Sequence, residues 1–138
     1  MKEYSDYRLV KSADLNHHGT LFAGRTAEWF VEAAFIAAAC TINSPESIVC
    51  VNIHGLQFKS SVSKGDVICF KSRIAKVGTT SITVRTIVHS ETTDVIPVEG
   101  FITFVCVDEN GKKRPHGIVM DEPQNQEEVR IREKANSL

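Results

Sequence analysis

The stretch that decides the fold is Phe22-Ala23-Gly24-Arg25-Thr26-Ala27-Glu28-Trp29-Phe30-Val31-Glu32-Ala33-Ala34-Phe35-Ile36-Ala37-Ala38-Ala39-Cys40. From Arg25 to Cys40 the only charged residues are Arg25, Glu28 and Glu32, at i, i+3 and i+7. On a helix these three share one stripe, and the rest of the circumference is apolar. The spacing therefore predicts a helix over about Phe22 to Cys40 that is buried on most sides. Wrapping one sheet around it is the simplest way for a small domain to do this.

Outward from the helix, most of the chain reads as strand. Ser47 to Lys59 carries Val49, Val51 and Ile53 in one phase, then Leu56 and Phe58 in the other, so a bulge is expected at Gly55. Asp66–Lys76 and Ser81–His89 flank Val77-Gly78-Thr79-Thr80, which reads as a hairpin. Ile96–Asp108 closes on the turn Asp108-Glu109-Asn110-Gly111. Tyr4–Val10 suggests an N-terminal strand. Short connections imply an antiparallel meander. The fold class is thus α+β, with a sheet of about five antiparallel strands around one long central helix. The division is a domain over residues 1–122 and a polar C-terminal helix or tail over residues 123–138.

The 138 residues suit a single domain with its own core. Sixteen basic and 17 acidic residues leave a net charge of −1, which argues against a globally basic nucleic-acid binder or a protein held to anionic membranes. Polyanion recognition would need a local cluster. The N-terminus MKEYSDYRLV has no apolar core of a leader. The longest apolar run, Trp29 to Ile42, is broken by Glu32 and falls short of the ~20 residues of a spanning helix. Cytoplasm is the default compartment, with no membrane partner. Cys40, Cys50, Cys69 and Cys106 are widely spaced in apolar stretches and read as buried, reduced thiols.

Three segments carry candidate chemistry. Asp14-Leu15-Asn16-His17-His18-Gly19-Thr20-Leu21-Phe22-Ala23-Gly24 is a polar loop running into a helix N-terminus, whose unpaired N–H groups and partial positive charge can stabilise an oxyanion. Asn16 could donate to the same carbonyl or hold a water. Glu32 lies two turns into the helix among apolar residues, and burial would suit a carboxylate there to general-base work. The same residues also read as a capped turn, Asp14 or Asn16, followed by an exposed charge stripe, Arg25, Glu28 and Glu32. Adjacent His17 and His18 should point apart, so no metal site is expected there; one of them could orient a water or a substrate group. His54 reads as a partly buried strand residue, and His89 and His116 as surface residues. The second segment, Lys76-Val77-Gly78-Thr79-Thr80-Ser81, could cradle a phosphate or an amide. The third, Lys112-Lys113-Arg114-Pro115, is the local basic cluster that the overall charge left open.

Taken together these residues resemble the hotdog-fold acyl-CoA thioesterases. The pre-helix pattern Asn-x-x-Gly-x-x-Phe-x-Gly is matched by Asn16, Gly19, Phe22 and Gly24. Asn52-Ile53-His54-Gly55-Leu56-Gln57-Phe58 is similar to the family strand ending in Phe, and Gly65-Asp66 to its Gly-Asp. Phe101–Asp108 with Gly111–Pro115 resembles the closing strand and basic tail. The resemblance spans Tyr4 to Pro115. The broad-specificity acyl-CoA type often has a carboxylate where Val31 stands here, and Ala23 replaces the first glycine of Phe-Gly-Gly. Glu28-Trp29-Phe30-Val31-Glu32-Ala33 also looks like the helix of the 4-hydroxybenzoyl-CoA type, in which an Asp at the position of Asp14 acts.

The resemblance implies hydrolysis of acyl-CoA to a carboxylic acid and CoA, with no metal or redox cofactor. Catalytic roles fall on Asn16, Gly24, Glu32 and Asp14, with Glu28 a further candidate carboxylate. Substrate contacts fall on Ala23, on Gly78, Thr79, Thr80 and Ser81, and on Lys112, Lys113 and Arg114 toward the CoA phosphates. It also implies a homodimer or a higher homo-oligomer, a tetramer or hexamer, with sites where two chains meet. A non-catalytic acyl-CoA-binding module is the alternative. An acyl-thioester dehydratase ranks below it, because the family's His-Phe-Pro-Gly loop is absent.

Overall fold

In the computed structural model, which describes residues 1–138, the helix of the deciding stretch is α1, Ala23–Ile42. It ends at Asn43, which turns left-handed (φ 60°) while its N–H donates to the Ala39 carbonyl at 2.7 Å. The strands are β1 (Tyr4–Leu9), β2 (Ile48–His54), β3 (Val67–Val77), β4 (Ser81–Ser90) and β5 (Val98–Cys106), and a second helix, α2, spans Gln126–Asn136. All neighbouring strands pair antiparallel, in the order β1-β3-β4-β5-β2.

α1 lies across the inner face of the sheet. Trp29, Phe30, Ala33, Ala34, Ala37 and Ala38 pack on inward residues that include Ile68, Phe70, Ile74, Val84, Ile102 and Phe104. The alanines let helix and sheet approach closely. Trp29 and Phe30 meet the Phe70 ring edge-on, at 6.4 and 6.1 Å between centroids. Full burial of each side chain the size of Phe30 contributes about 1.5–3 kcal/mol.

Four expectations need correction. The meander is confined to β3, β4 and β5, because β2 crosses to the far edge and pairs with β5. The bulge in β2 falls between Cys50 and Asn52, and the strand stops at His54, since Gly55 takes φ +59° and leaves extended geometry. α1 is buried on one face only: Val31 and Phe35 are half-buried, and Ile36 is 41% exposed beside them. Cys69 and Cys106 are buried, but Cys40 at the end of α1 and Cys50 on the open edge of β2 are exposed; all four are free thiols.

The polar segment 123–138 is a docked helix. Asn125 caps it by accepting from the Glu128 N–H at 2.9 Å. Ile131 and Ala135 pack on Ala75 and Phe101 of the sheet's outer face. Around them, Arg73 pairs with Glu128, and Arg85, Arg130 and Lys134 converge on Glu99. No helix is long and apolar enough to cross a membrane.

Candidate active site

The loop before α1 is a small folded unit. Leu15 and Leu21 bridge across it, and Thr20 bridges to Ser63. Gly19 at its tip has φ +80°, a conformation that disfavours any side chain. Asn16 organises the interior: its Oδ1 accepts from the N–H groups of His18 (2.9 Å) and Thr20 (3.2 Å), and its Nδ2 donates to Thr20 Oγ1 (3.1 Å). An amide nitrogen has two hydrogens, so one remains for a substrate or water. His17 and His18 are exposed, and their rings lie together at 3.9 Å rather than pointing apart.

This loop delivers the chain to α1 without a cap. Phe22 stands at the N-cap position and supplies no side-chain acceptor, and the first turn has no acidic residue. The N–H groups of Arg25 and Thr26 bond to the Phe22 carbonyl, whereas those of Ala23 and Gly24 donate to no protein group. Both residues are exposed. A 20-residue helix thus presents two free donors and its positive end to solvent.

The surroundings fit an acyl thioester. Asn16 and Ala23 share an open recess with Thr20, Phe58 and Ser60. Beside it an apolar pocket, lined by Leu21, Ala23, Thr26, Phe58, Val62, Val95 and Ile96 among others, runs between α1 and the sheet end. Its loop residues were not singled out in the sequence as lining a site. Val62 and Val95 lie in loops that no periodicity marks, and Ile96, read from the sequence as the start of a strand, precedes β5, which begins at Val98.

The carboxylates do not sit as expected. Asp14 is buried but already engaged: its Oδ2 accepts from the Lys11 N–H at 2.9 Å, and its Oδ1 lies 3.8 Å from Arg25 Nε. Glu32 is not buried; its side chain is 50% exposed and pairs with Arg8 at 2.9 Å. Eight residues above Gly24, it lies about 12 Å along the axis from the free N–H groups. Glu28, one turn above Gly24, is exposed.

The other half of the expected site lies elsewhere. The Gly78 N–H bonds to the Ser81 carbonyl, and the Thr79 and Thr80 carbonyls accept from His116 and Cys106. The turn therefore packs against the basic segment, where Lys112, Lys113 and Arg114 are all exposed. His116 is half-buried, with its Nε2 2.9 Å from the Ser81 carbonyl; His89 is likewise half-buried. His54 is partly buried as expected and bonds Thr103 at 2.7 Å. The Gly78–Ser81 turn and Lys112–Arg114 thus share one end of the sheet. Asn16, Ala23 and Gly24 lie at the other, about 30 Å away by the length of β4.

An antiparallel five-stranded sheet wrapped on one long helix, with an open helix N-terminus beside an apolar pocket, is the hotdog architecture of thioester-handling proteins. A family model described as the thioesterase superfamily matches residues 18–96. An acyl-CoA thioester hydrolase, YciA, of Salmonella typhimurium is 31% identical over 116 residues, covering 78% of this chain and 84% of its own. The crystal structure of an apo-hexameric acyl-CoA thioesterase superposes with a TM-score of 0.87 at 35% identity, over 98% of this chain and 86% of that one. A hexameric thioesterase from Yersinia pestis superposes at 0.71 with 29% identity, over 79% and 90%. The chain belongs to the thioesterase superfamily.

Proposed function

We propose that this chain hydrolyses acyl-CoA thioesters to a carboxylic acid and CoA, and that it does so as a homo-oligomer, a dimer or a tetramer or hexamer built from dimers. The observation that carries the reading is the pair of free N–H groups of Ala23 and Gly24 at an uncapped helix start beside an apolar pocket. The acyl group enters the pocket and the thioester oxygen takes the two N–H donors. Asn16 offers its spare N–H to the carbonyl or the water. A carboxylate takes a proton as water adds to the carbonyl carbon. When the tetrahedral oxyanion collapses, the C–S bond breaks, and the departing thiolate receives that proton.

Assembly supports both the base and the grip on CoA. One chain holds Glu32 too far from its own N–H groups, while the exposed face Val31–Glu32–Phe35–Ile36 and the open β2 edge, with Val49, Val51 and Ile53 outside, suit burial against another copy. A second chain can therefore supply Glu32 to the N–H groups of the first. Gly78–Ser81 and Lys112–Arg114 hold the pantetheine and phosphate end from another chain for the same reason. The reaction so drawn draws on no metal or redox cofactor.

A panel of acyl-CoAs assayed for free thiol tests the activity. Glu32→Gln and Asn16→Ala should each lower turnover by about 10²–10⁴-fold with folding and assembly retained. Wild-type turnover in Glu32→Gln moves the base to Glu28 or Asp14, resolved by Glu28→Gln and Asp14→Asn. Val31, standing where the broad-specificity type often has a carboxylate, favours a second reading as a non-catalytic acyl-CoA binder. Binding without thiol release across the panel would establish that one.

A further inference from the structure

On the outer face of the sheet, at the end where His89 also borders the apolar pocket, β3 and β4 place Cys69 directly opposite His89. Glu91 follows His89 by two residues, so its side chain returns to the same face. Tyr7 stands across from Cys69 on β1. The Cys69 sulfur, a His89 ring nitrogen and a Glu91 carboxylate oxygen all lie within 4.8 Å of one another. His89 Nε2 and Glu91 Oε1 are 2.8 Å apart. Cys69 is fully buried, while the other two are partly open to solvent at 30% and 42%.

We propose that Cys69, His89 and Glu91 bind one borderline-soft divalent cation of the zinc class at a structural site on the outer face of the sheet. A thiolate, an imidazole and a carboxylate are a donor set that suits zinc or cobalt and does not suit magnesium or calcium. Metal–ligand bonds of about 2.0–2.3 Å in a tetrahedron need donor separations of roughly 3.3–3.7 Å. Rotation of the half-exposed His89 and Glu91 side chains supplies that closure without moving the strands. Neutral imidazole and carboxylate each donate a lone pair, the Cys69 thiol releases its proton to solvent, and water fills the fourth position. The ion would pin Glu91, whose N–H already donates to the Val67 carbonyl at 2.7 Å, at the root of the loop that carries Val95 and Ile96 to the apolar pocket.

Cobalt(II) is the probe. Titrated into metal-free protein, it should give a thiolate-to-cobalt charge-transfer band and tetrahedral d–d bands that saturate at one equivalent per chain and are displaced by zinc. The bands should persist in a Cys40→Ser/Cys50→Ser double variant, which removes the exposed thiols, and vanish in Cys69→Ser. His89→Gln and Glu91→Gln should weaken binding by at least about tenfold, and zinc should raise the melting temperature of the wild type alone. No bands in the wild type would overturn the site, as would bands that survive Cys69→Ser or disappear with Cys40 and Cys50. If the buried Cys69→Ser does not fold, the two surface variants decide it: unchanged cobalt affinity in both removes the proposal.

Discussion

Gly100 sits in β5 opposite Thr86, on the face that meets α1. A methyl group there would lie 2.3 Å from Leu56 Cδ2 and 2.9 Å from the Phe30 ring. Two effects of Gly100→Ala oppose each other. The unfolded chain loses freedom, which stabilises the fold by about 0.4–1 kcal/mol. Overpacking against a fully buried aromatic ring costs about 1–3 kcal/mol. The clash should win, because Phe30 is fully buried on α1 with its ring already edge-on to Phe70 at 6.1 Å. Gly100→Ala should lower the urea midpoint with the slope unchanged, and a midpoint at or above wild type would show that Leu56 and Phe30 yield freely. Gly24 differs: its nearest neighbour would be the exposed Phe22 ring, at 2.6 Å, which has solvent to swing into.

At the scale of elements, α2 is held to the sheet by charge as much as by apolar contact. Glu99 on β5 is partly buried, and burial pushes its carboxyl upward. Hydrogen bonds from Lys134, Arg130 and Arg85 outweigh that and hold it at about 2, against 4.5 for an ordinary Glu. Since the folded-state pKa is depressed, this contribution is fully present above pH 4.5 and is lost as the pH falls from about 4.5 to about 2. A shift of that size corresponds to up to about 3 kcal/mol. Acid unfolding followed by circular dichroism should therefore show stability declining through that window. In Glu99→Gln the protein should be less stable at neutral pH, with the buried Arg85 left only its longer 3.6 Å pairing to the exposed Glu127, and the decline in the window should be shallower. An unchanged acid profile in Glu99→Gln would place the acid sensitivity on other carboxylates. This layer was hidden in the sequence. QEEVRIREKAN reads as polar because its buried Glu128 is legible only beside Arg73, which is 55 residues away. α1 was legible because an apolar run with charges on one stripe has a single helical reading. β2 was legible as a strand but not as an edge, since pairing order leaves no trace in alternation. Asn16 and Gly24 showed in the sequence because a loop and the helix start it feeds are contiguous. Cys69, His89 and Glu91 did not, because they meet only across the strand register.

At the scale of the whole molecule, one chain divides the proposed chemistry between two ends. The free N–H groups and Asn16 are at one end, and the basic cluster and the Gly78–Ser81 turn are at the other. Glu32 faces outward on an apolar patch, where Arg8 holds it. The near-zero net charge conceals this separation: a basic end and an acidic helix stripe cancel in the sum but need not meet within a chain. If the site is shared as proposed, catalysis can be rebuilt from two defective chains. Asn16→Ala retains Glu32, and Glu32→Gln retains Asn16. Unfolded together and refolded, equal amounts of the two form mixed pairs half the time, and each mixed pair holds one site with both residues intact and one with neither. Thiol release should then recover to about a quarter of wild type, from two preparations that are each depressed by about 10²-fold or more. No recovery, with mixed pairs confirmed by mass spectrometry of differently tagged chains, would mean that Asn16 and the working carboxylate belong to the same chain. Glu32 would then serve the donors of its own chain, and the site shared between two chains would be ruled out.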